Sequence, residues 1–452
     1  TTQKSIYKLG NYKVMDSTIV GTGFLDDGKR TIPFTGEIQF SDIAYVQVQK
    51  SSFWLGLVRV GAVAVLGATA IGSFDGKDGL SITPVVTHHY GGSSCPFIYG
   101  WNGADYILEG EAFATAWGQA LEMNTCTVLP SLKERKGELS VRITNERPET
   151  HYINAVNLVA VETDADAEVC ADPQNTLWPV YSTIPPVRAH GQIRDDILIT
   201  LRRKDGKCWE SESVPETGET QYRDVVDVVF LKPPSQEEAT LVIHAINTRI
   251  FDAVMRTVSQ SMGDELLAFV DAVEHDPEMI ALLKHWLEES SLKASLWNGS
   301  GWEPIGTLLP EANEIPFSRV IRFNTRAITG DSVKIRLTSL ADVWKFDAVG
   351  IDWSSVHPLT PKPVPLVSAR GPNGKDLAGT LTHADDQYAV VLPPEKVDIT
   401  FQSLQACAKG VRPPSVGLVS ALGGHPGKKT VYALNVQGYL HEWFPESRDQ
   451  SQ

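Results

Sequence analysis

Three groups of residues in this chain carry side chains able to do chemistry. His88, His89 and Cys95 offer two imidazoles and a thiol of the kind that hold zinc. Neighbouring residues on a strand point to opposite faces, however, and the spacing matches no zinc pattern, so no metal ligand is assigned. Asp164, Asp166, Glu168 and Asp172 alternate like the carboxylates of a calcium loop but lack its turn glycine and distal glutamate. They read as a solvated acidic loop, and Asp75 and Asp78 as turn residues. The serines at 93 and 94 have no visible base, and no GxSxG, HExxH, Walker A or GxGxxG pattern exists. The sequence therefore nominates no catalytic residue and no cofactor. The third group is aromatic. Trp101, Trp297, Trp302, Tyr439 and Trp443 could form flat platforms for sugar rings or anchors for a partner, whereas Trp344 and Trp353 read as core.

The elements that must position these residues are mostly strands. Short apolar–polar alternations punctuated by Gly, Pro, Asn and Asp recur from the N-terminus to residue 443, and tight turns outnumber helical crossovers. The pattern predicts a mainly β chain built as a multi-domain, antiparallel, jelly-roll-like β-sandwich. Two patches look helical. One is the run ILEGEAFATAWGQALEM, from residue 107 to 123. The other is 248–291, where Ile250, Val254, Val258, Met262 and Leu266 share a face and Asp276-Pro277 opens a second helix. This hairpin is expected to be inserted into a sandwich whose halves lie before Thr248 and after Lys293. Trp101-Asn102-Gly103 before Tyr106 echoes Trp297-Asn298-Gly299 before Trp302, which is read as convergence on Asn-Gly hairpin chemistry rather than a repeat.

One apolar run, residues 53–72, interrupts this pattern between Lys50 and Asp75. It has the length of a membrane span, but Arg59 near its middle costs about 2.5–3.5 kcal/mol and nearly offsets the gain from its aliphatic residues. Phe53, Trp54, Leu57, Val63, Leu66 and Ile71 are the expected contacts with a membrane or a hydrophobic partner. The domain order that follows is a small β-domain at 1–50, the hydrophobic Gly-rich segment at 51–74, and a sandwich region at 75–357 with its helical insert at 248–291. A Pro-rich linker at 358–365 and a small C-terminal β-domain at 366–452 complete it. Within the last of these, Tyr432, Leu434 and Val436 should face a core, and Tyr439 and Trp443 should shield the end of its sheet.

A net charge of −15 without clustered cations argues against a polyanionic partner, so nucleic acid is excluded. Cys95, Cys126, Cys170, Cys208 and Cys407 have no CxxC spacing; two disulfides with one free thiol, or five buried thiols, are both open.

The blocks CPFIYGWNGADYILEGEAF, RITNERPETHYINAVNLV, LITLRRKDGKCWES, VIHAINT, VKIRLTSLADVWKFDAVGIDW and VYALNVQGYLHEW occur in this order between Cys95 and Phe444. In these the chain resembles a family of uncharacterised bacterial extracytoplasmic proteins and lipoproteins, departing from it at Leu440, where an aromatic is expected. The resemblance implies the periplasm or cell envelope, with membrane attachment through residues 53–72 or an N-terminal lipid anchor, and implies no activity. The expected function is non-enzymatic: a structural or accessory subunit of a membrane or envelope assembly, with other subunits as partners. The alternative is a β-sandwich module binding carbohydrate or another ligand, and an unrecognised hydrolase is the third reading.

Overall fold

The computed structural model describes residues 6–14, 18–26, 31–39, 96–192, 196–211, 223–250, 266–312, 314–404 and 427–443. The apolar run 53–72, with Phe53, Trp54, Leu57, Val63, Leu66 and Ile71, lies outside these residues, as do Val254, Val258 and Met262. Among the described residues no helix is long and apolar enough to cross a membrane. The chain divides into two units, 1–87 and 88–452. The first contains an antiparallel meander of β1 (Ile6–Val14), β2 (Thr18–Asp26) and β3 (Thr31–Gln39).

In the second unit the strands run β4 (Phe97–Trp101), β5 (Tyr106–Glu111), β6 (Met123–Leu129), β7 (Glu138–Thr144) and β8 (Glu149–Asp164). Next come β9 (Glu168–Ala171), β10 (Leu177–Val180), β11 (Arg188–His190), the short helix α1 (Leu198–Leu201), β12 (Arg223–Leu231) and β13 (Glu238–Asn247). Two helices follow, α2 (Leu266–His275) and α3 (Pro277–Ser290). Asp276 caps α3 by accepting from the Glu278 and Met279 N–H groups, and Pro277, which has no N–H to lose, opens its first turn. The strands then resume with β14 (Leu292–Trp297), β15 (Trp302–Leu308), β16 (Phe317–Asn324), β17 (Ser332–Leu340) and β18 (Trp344–Asp352). The chain continues through β19 (Lys362–Val364), β20 (Leu366–Arg370), α4 (Ala378–Leu381), β21 (Ala389–Val391), β22 (Lys396–Gln402) and β23 (Lys428–Glu442).

These strands make two sandwiches. One, the second roll, has an outer sheet in the order β15-β14-β17-β12-β11 and an inner sheet in the order β10-β9-β16-β13-β18. With β12 to β18 lettered C to I, the orders are F-E-H-C and G-D-I, the strand order of a jelly roll. The helices α2 and α3 fill its D–E connection, so the sandwich is split around them as the change of periodicity predicts. The other, the first roll, has outer order β5-β4-β7-β22-β20 and inner order β6-β23-β8-β19, with β21 also on β8. Outer strands alternate buried with half-buried residues, as in β7 and β22, while the inner β13 is buried at seven consecutive positions. The inner sheets pack on each other as well as on their partners: Cys126, Val161 and Ala433 of the first roll meet Val169, Ala171 and Leu177 of the second.

The described residues of 366–452 accordingly form no separate domain. β20 and β22 extend the sheet of β7, and β23 lies between β6 and β8, with Tyr432, Leu434 and Val436 buried. The linker expected at 358–365 contains β19, which pairs with β8. The helix-like run at 107–123 is β5 followed by loop and a short 3-10 turn: Ile107 and Leu108 lie exposed on an edge strand, and the apolar residues from Ala112 to Trp117 are buried in the connection that follows it. Of the cysteines, Cys126 and Cys170 are buried and free and Cys208 is half-buried and free; Cys95 and Cys407 lie outside the described residues.

The Asn-Gly echo also needs correction, because it is one part of an internal duplication. Trp101 opposes Tyr106 and Trp297 opposes Trp302, both with ring centroids 5.4 Å apart and edge-on. Each hairpin then skips one residue of its second strand, Glu109 or Ile305. Gly110 and Gly306 follow, each beside a side chain of the facing sheet, Thr127 or Ile321. In each roll an arginine from the neighbouring strand lies over the aromatic and pairs with an aspartate one strand further: Arg142 with Asp398, and Arg336 with Asp227. β8 bulges at Asn154 and β18 at Asp347, and each side-chain oxygen accepts a backbone N–H, from Asp385 or from Asp205 and Gly206. At a constant offset of 180 the pairs Pro185/Pro365, Val187/Val367, Ala189/Ala369, Gly191/Gly371, Asp196/Asp376, Thr200/Thr380, Leu201/Leu381 and Asp205/Asp385 are identical.

The repeat therefore covers 97–247 and 292–443. Each roll takes its first five strands from one copy and the rest from the other. Roll one combines β4–β8 with β19–β23, and roll two combines β11–β13 with β14–β18. The two copies have exchanged halves within one chain.

Candidate functional site

The duplication supplies an internal comparison: what both rolls share serves the fold, and what only one has is not needed for it. One such side-chain difference lies at the bulge of the inner sheet. β8 presents Tyr152, β23 presents Tyr439 and His441, and the segment entering β21 presents Tyr388. Register places Lys345, Ile246, Thr248 and Cys208 at the equivalent positions of the second roll.

Beside this bulge the first roll has Gly438 where the second has Ala245. A Cβ at Gly438 would lie 2.4 Å from the Tyr152 carbonyl oxygen and 2.9 Å from the Phe113 ring. The close approach aligns the next residue pair, and Tyr152 and Tyr439 stack with ring centroids 4.6 Å apart and planes within 5°. Tyr388 meets both rings edge-on, at 6.3 and 5.2 Å, and the His441 ring lies 5.0 Å from Tyr152 and 5.4 Å from Tyr439.

Two carboxylates flank this cluster. Glu122 accepts from Asn154 Nδ2 at 2.8 Å and from the Tyr388 hydroxyl at 2.9 Å. Glu274 of α2 accepts from the Gln119 N–H at 3.2 Å and contacts His441 Nε2 through its other oxygen. Burial pushes the Tyr439 phenol up, and the negative charges of Glu274 and Glu122 push it further. Burial and Glu274 raise Tyr152, and burial with the Glu122 hydrogen bond raises Tyr388, so all three phenols stay protonated at neutral pH. Tyr439 is only 7% exposed, and its hydroxyl, like that of Tyr152, has no hydrogen-bond partner among the described residues.

Burial acts to raise the Glu274 carboxyl, but hydrogen bonds from His441 and Gln119 outweigh it and hold the group below its usual range. A carboxyl depressed in the fold stabilises it fully above the unfolded value and loses that contribution as pH falls through the folded one. Docking of α2 on the first roll should therefore weaken below about pH 4. Glu274→Gln should flatten that acid limb in a series of melting curves against pH; an unchanged limb would show that the pair does not hold the helix.

The other nominated aromatics are scattered. Trp101 packs on Tyr106 under Arg135 and belongs to the shared hairpin design. Trp297 and Trp302 form the equivalent pair, with Lys334 and Arg336 over Trp302 and Trp297 36% exposed. Trp443 is exposed, and its indole N–H donates to Thr150 Oγ1. Trp344 and Trp353 are buried. Only Tyr439 joins a cluster confined to one roll, and its partners Tyr152, Tyr388, His441, Glu122 and Glu274 were not nominated from sequence, since no local motif connects them. Among the described residues no group of three or more His, Cys, Asp and Glu is arranged to hold a metal ion.

No family model and no curated protein matches the chain. Two solved structures overlap most of it at 8% identity. One, described as "Life in the extremes: atomic structure of Sulfolobus Turreted Icosahedral Virus", covers 78% of this chain and 92% of its own with a TM-score of 0.14. The other, "The Triple Jelly Roll Fold and Turret Assembly in an Archaeal Virus", covers 77% and 90% with a TM-score of 0.15. At those scores neither bears on the architecture, which rests on the strand order of this chain.

Proposed function

We propose that the chain is a non-enzymatic accessory subunit of a bacterial membrane or envelope assembly, with the two rolls as a rigid scaffold and the tyrosine cluster as a point of recognition. The observation that carries this reading is the difference between the copies. The second roll closes with Lys345, Cys208, Ile246 and Thr248 where the first has Tyr152, Tyr388, Tyr439 and His441, so the cluster serves something other than closure of the roll. The apolar run 53–72 and the resemblance to extracytoplasmic proteins support attachment to a membrane or hydrophobic partner. Cell fractionation tests this. The full-length protein should sediment with membranes or a stable complex, and deletion of 51–73 should release it. A full-length chain already monomeric and detergent-free in buffer would end the proposal.

The exposure of Trp297 beside Trp302 favours a second reading, a carbohydrate-binding module at that hairpin tip. A glycan array with Trp297→Ala alongside the parent protein decides it: signals that survive the substitution exclude the tip.

A further inference from the structure

We infer that the tyrosine cluster of the first roll is a binding site for an ammonium group, either a lysine side chain on a protein partner or a small free amine. The inference rests on the recognition role proposed above and names its chemistry.

Three observations lead to it. The first is an open hydrogen-bonding group: the Tyr439 ring is almost wholly covered, but its hydroxyl is not sealed from solvent and has no partner among the described residues. A phenol oxygen that reaches solvent at the rim of an aromatic cluster is free to donate to and accept from a ligand. The second is the sign of the field. The charged groups acting on the three phenols are Glu122, Glu274 and Asp386, with no lysine or arginine among them. An anion would be repelled here, and a neutral polyol would gain nothing from that potential. The third is saturation of the carboxylates. Asn154 and Tyr388 occupy Glu122, and Gln119 and His441 occupy Glu274, so neither offers a free oxygen pair for chelation of a divalent metal. What remains open is phenol oxygen, which accepts a hydrogen bond, and aromatic surface, which attracts a cation. An ammonium group combines donors with a positive charge on a compact head. The second roll provides the contrast, since its equivalent of Tyr152 is Lys345, which places the protein's own ammonium group there and pairs it with Glu210.

The test uses the full-length protein in equilibrium titrations with cadaverine, with Nα-acetyl-lysine amide, and with 1,5-pentanediol as an uncharged match for cadaverine. Saturable binding of one or both amines, with none of the diol, is expected. Tyr439→Phe, which keeps the ring and removes the hydroxyl, and Glu122→Gln, which keeps the shape and removes the charge, should each weaken it at least tenfold at unchanged melting temperature. Raising the salt concentration should weaken it too. Preference for the lysine amide would identify a protein side chain as the source, and equal affinity for cadaverine a free amine. No binding of either amine, equal binding of the diol, or binding unaffected in Tyr439→Phe would overturn the proposal. Should Glu122→Gln lower the melting temperature, Tyr439→Phe alone decides. Failure here with membrane fractionation unchanged would reject the ammonium site and leave the accessory-subunit reading standing.

Discussion

Arg319→Leu is expected to lower stability by about 3–5 kcal/mol, read from the shift in denaturant midpoint, because it strips the cation from a buried ion pair. Arg319 is 7% exposed on β16. Its Nη2 donates to Glu311 Oε2 at 2.5 Å and to the Cys126 carbonyl at 2.8 Å. One guanidinium thereby ties the inner sheet of the second roll to β6 of the first. Removing it strands the Glu311 carboxylate and an inner-sheet carbonyl together. The double substitution Arg319→Leu with Glu311→Met should recover most of the loss, since the lone buried charge is the costly part. A loss under about 1 kcal/mol for the single variant would mean that water reaches the pair as it does an exposed one.

The second large effect is expected at Gly438. Alanine there forces a carbon against the Tyr152 carbonyl oxygen, which is backbone and cannot rotate away, and against the Phe113 ring. Overpacking of this kind costs about 1–3 kcal/mol, and valine should exceed alanine. Gly110 provides the control. Its nearest neighbour is the Thr127 methyl at 2.6 Å, the end of a side chain that can change rotamer, so Gly110→Ala should cost less. Thermal unfolding of both variants distinguishes a requirement of this bulge from a general intolerance of larger residues. Equal losses would show that the bulge places no special demand on Gly438.

What the sequence disclosed was local. Alternation marked β7, β12, β17 and β22, Asp276-Pro277 marked the start of α3, and the change of period marked the helices inside a split sandwich. The return of β23 to the middle of the first roll was hidden, because it pairs with strands far away; Thr125 hydrogen-bonds the Val436 carbonyl across 311 residues. Such pairing leaves no periodicity in either partner. The duplication was hidden for a different reason. The second halves of the copies align at an offset of 180, whereas Trp101 and Trp297 are 196 apart, so no single shift superposes one copy on the other. The tyrosine cluster combines β8, β23, the approach to β21 and α2, which have no common motif. Only Tyr439 stood out, as a large ring after a glycine, and it was read as a shield for the sheet end rather than as the centre of a cluster.

The exchange of halves fixes an order of events during synthesis. On a ribosome β6 and β8 emerge with a strand-wide gap between them that only β23, near the end of the message, can fill. The second roll, whose strands are contiguous in 168–352, can close well before that. Until the last strands arrive, the nascent first roll exposes two open edges of its inner sheet, each a template for pairing with another chain. A nonsense codon between β18 and β23 would therefore release a product with one finished roll and one permanently open.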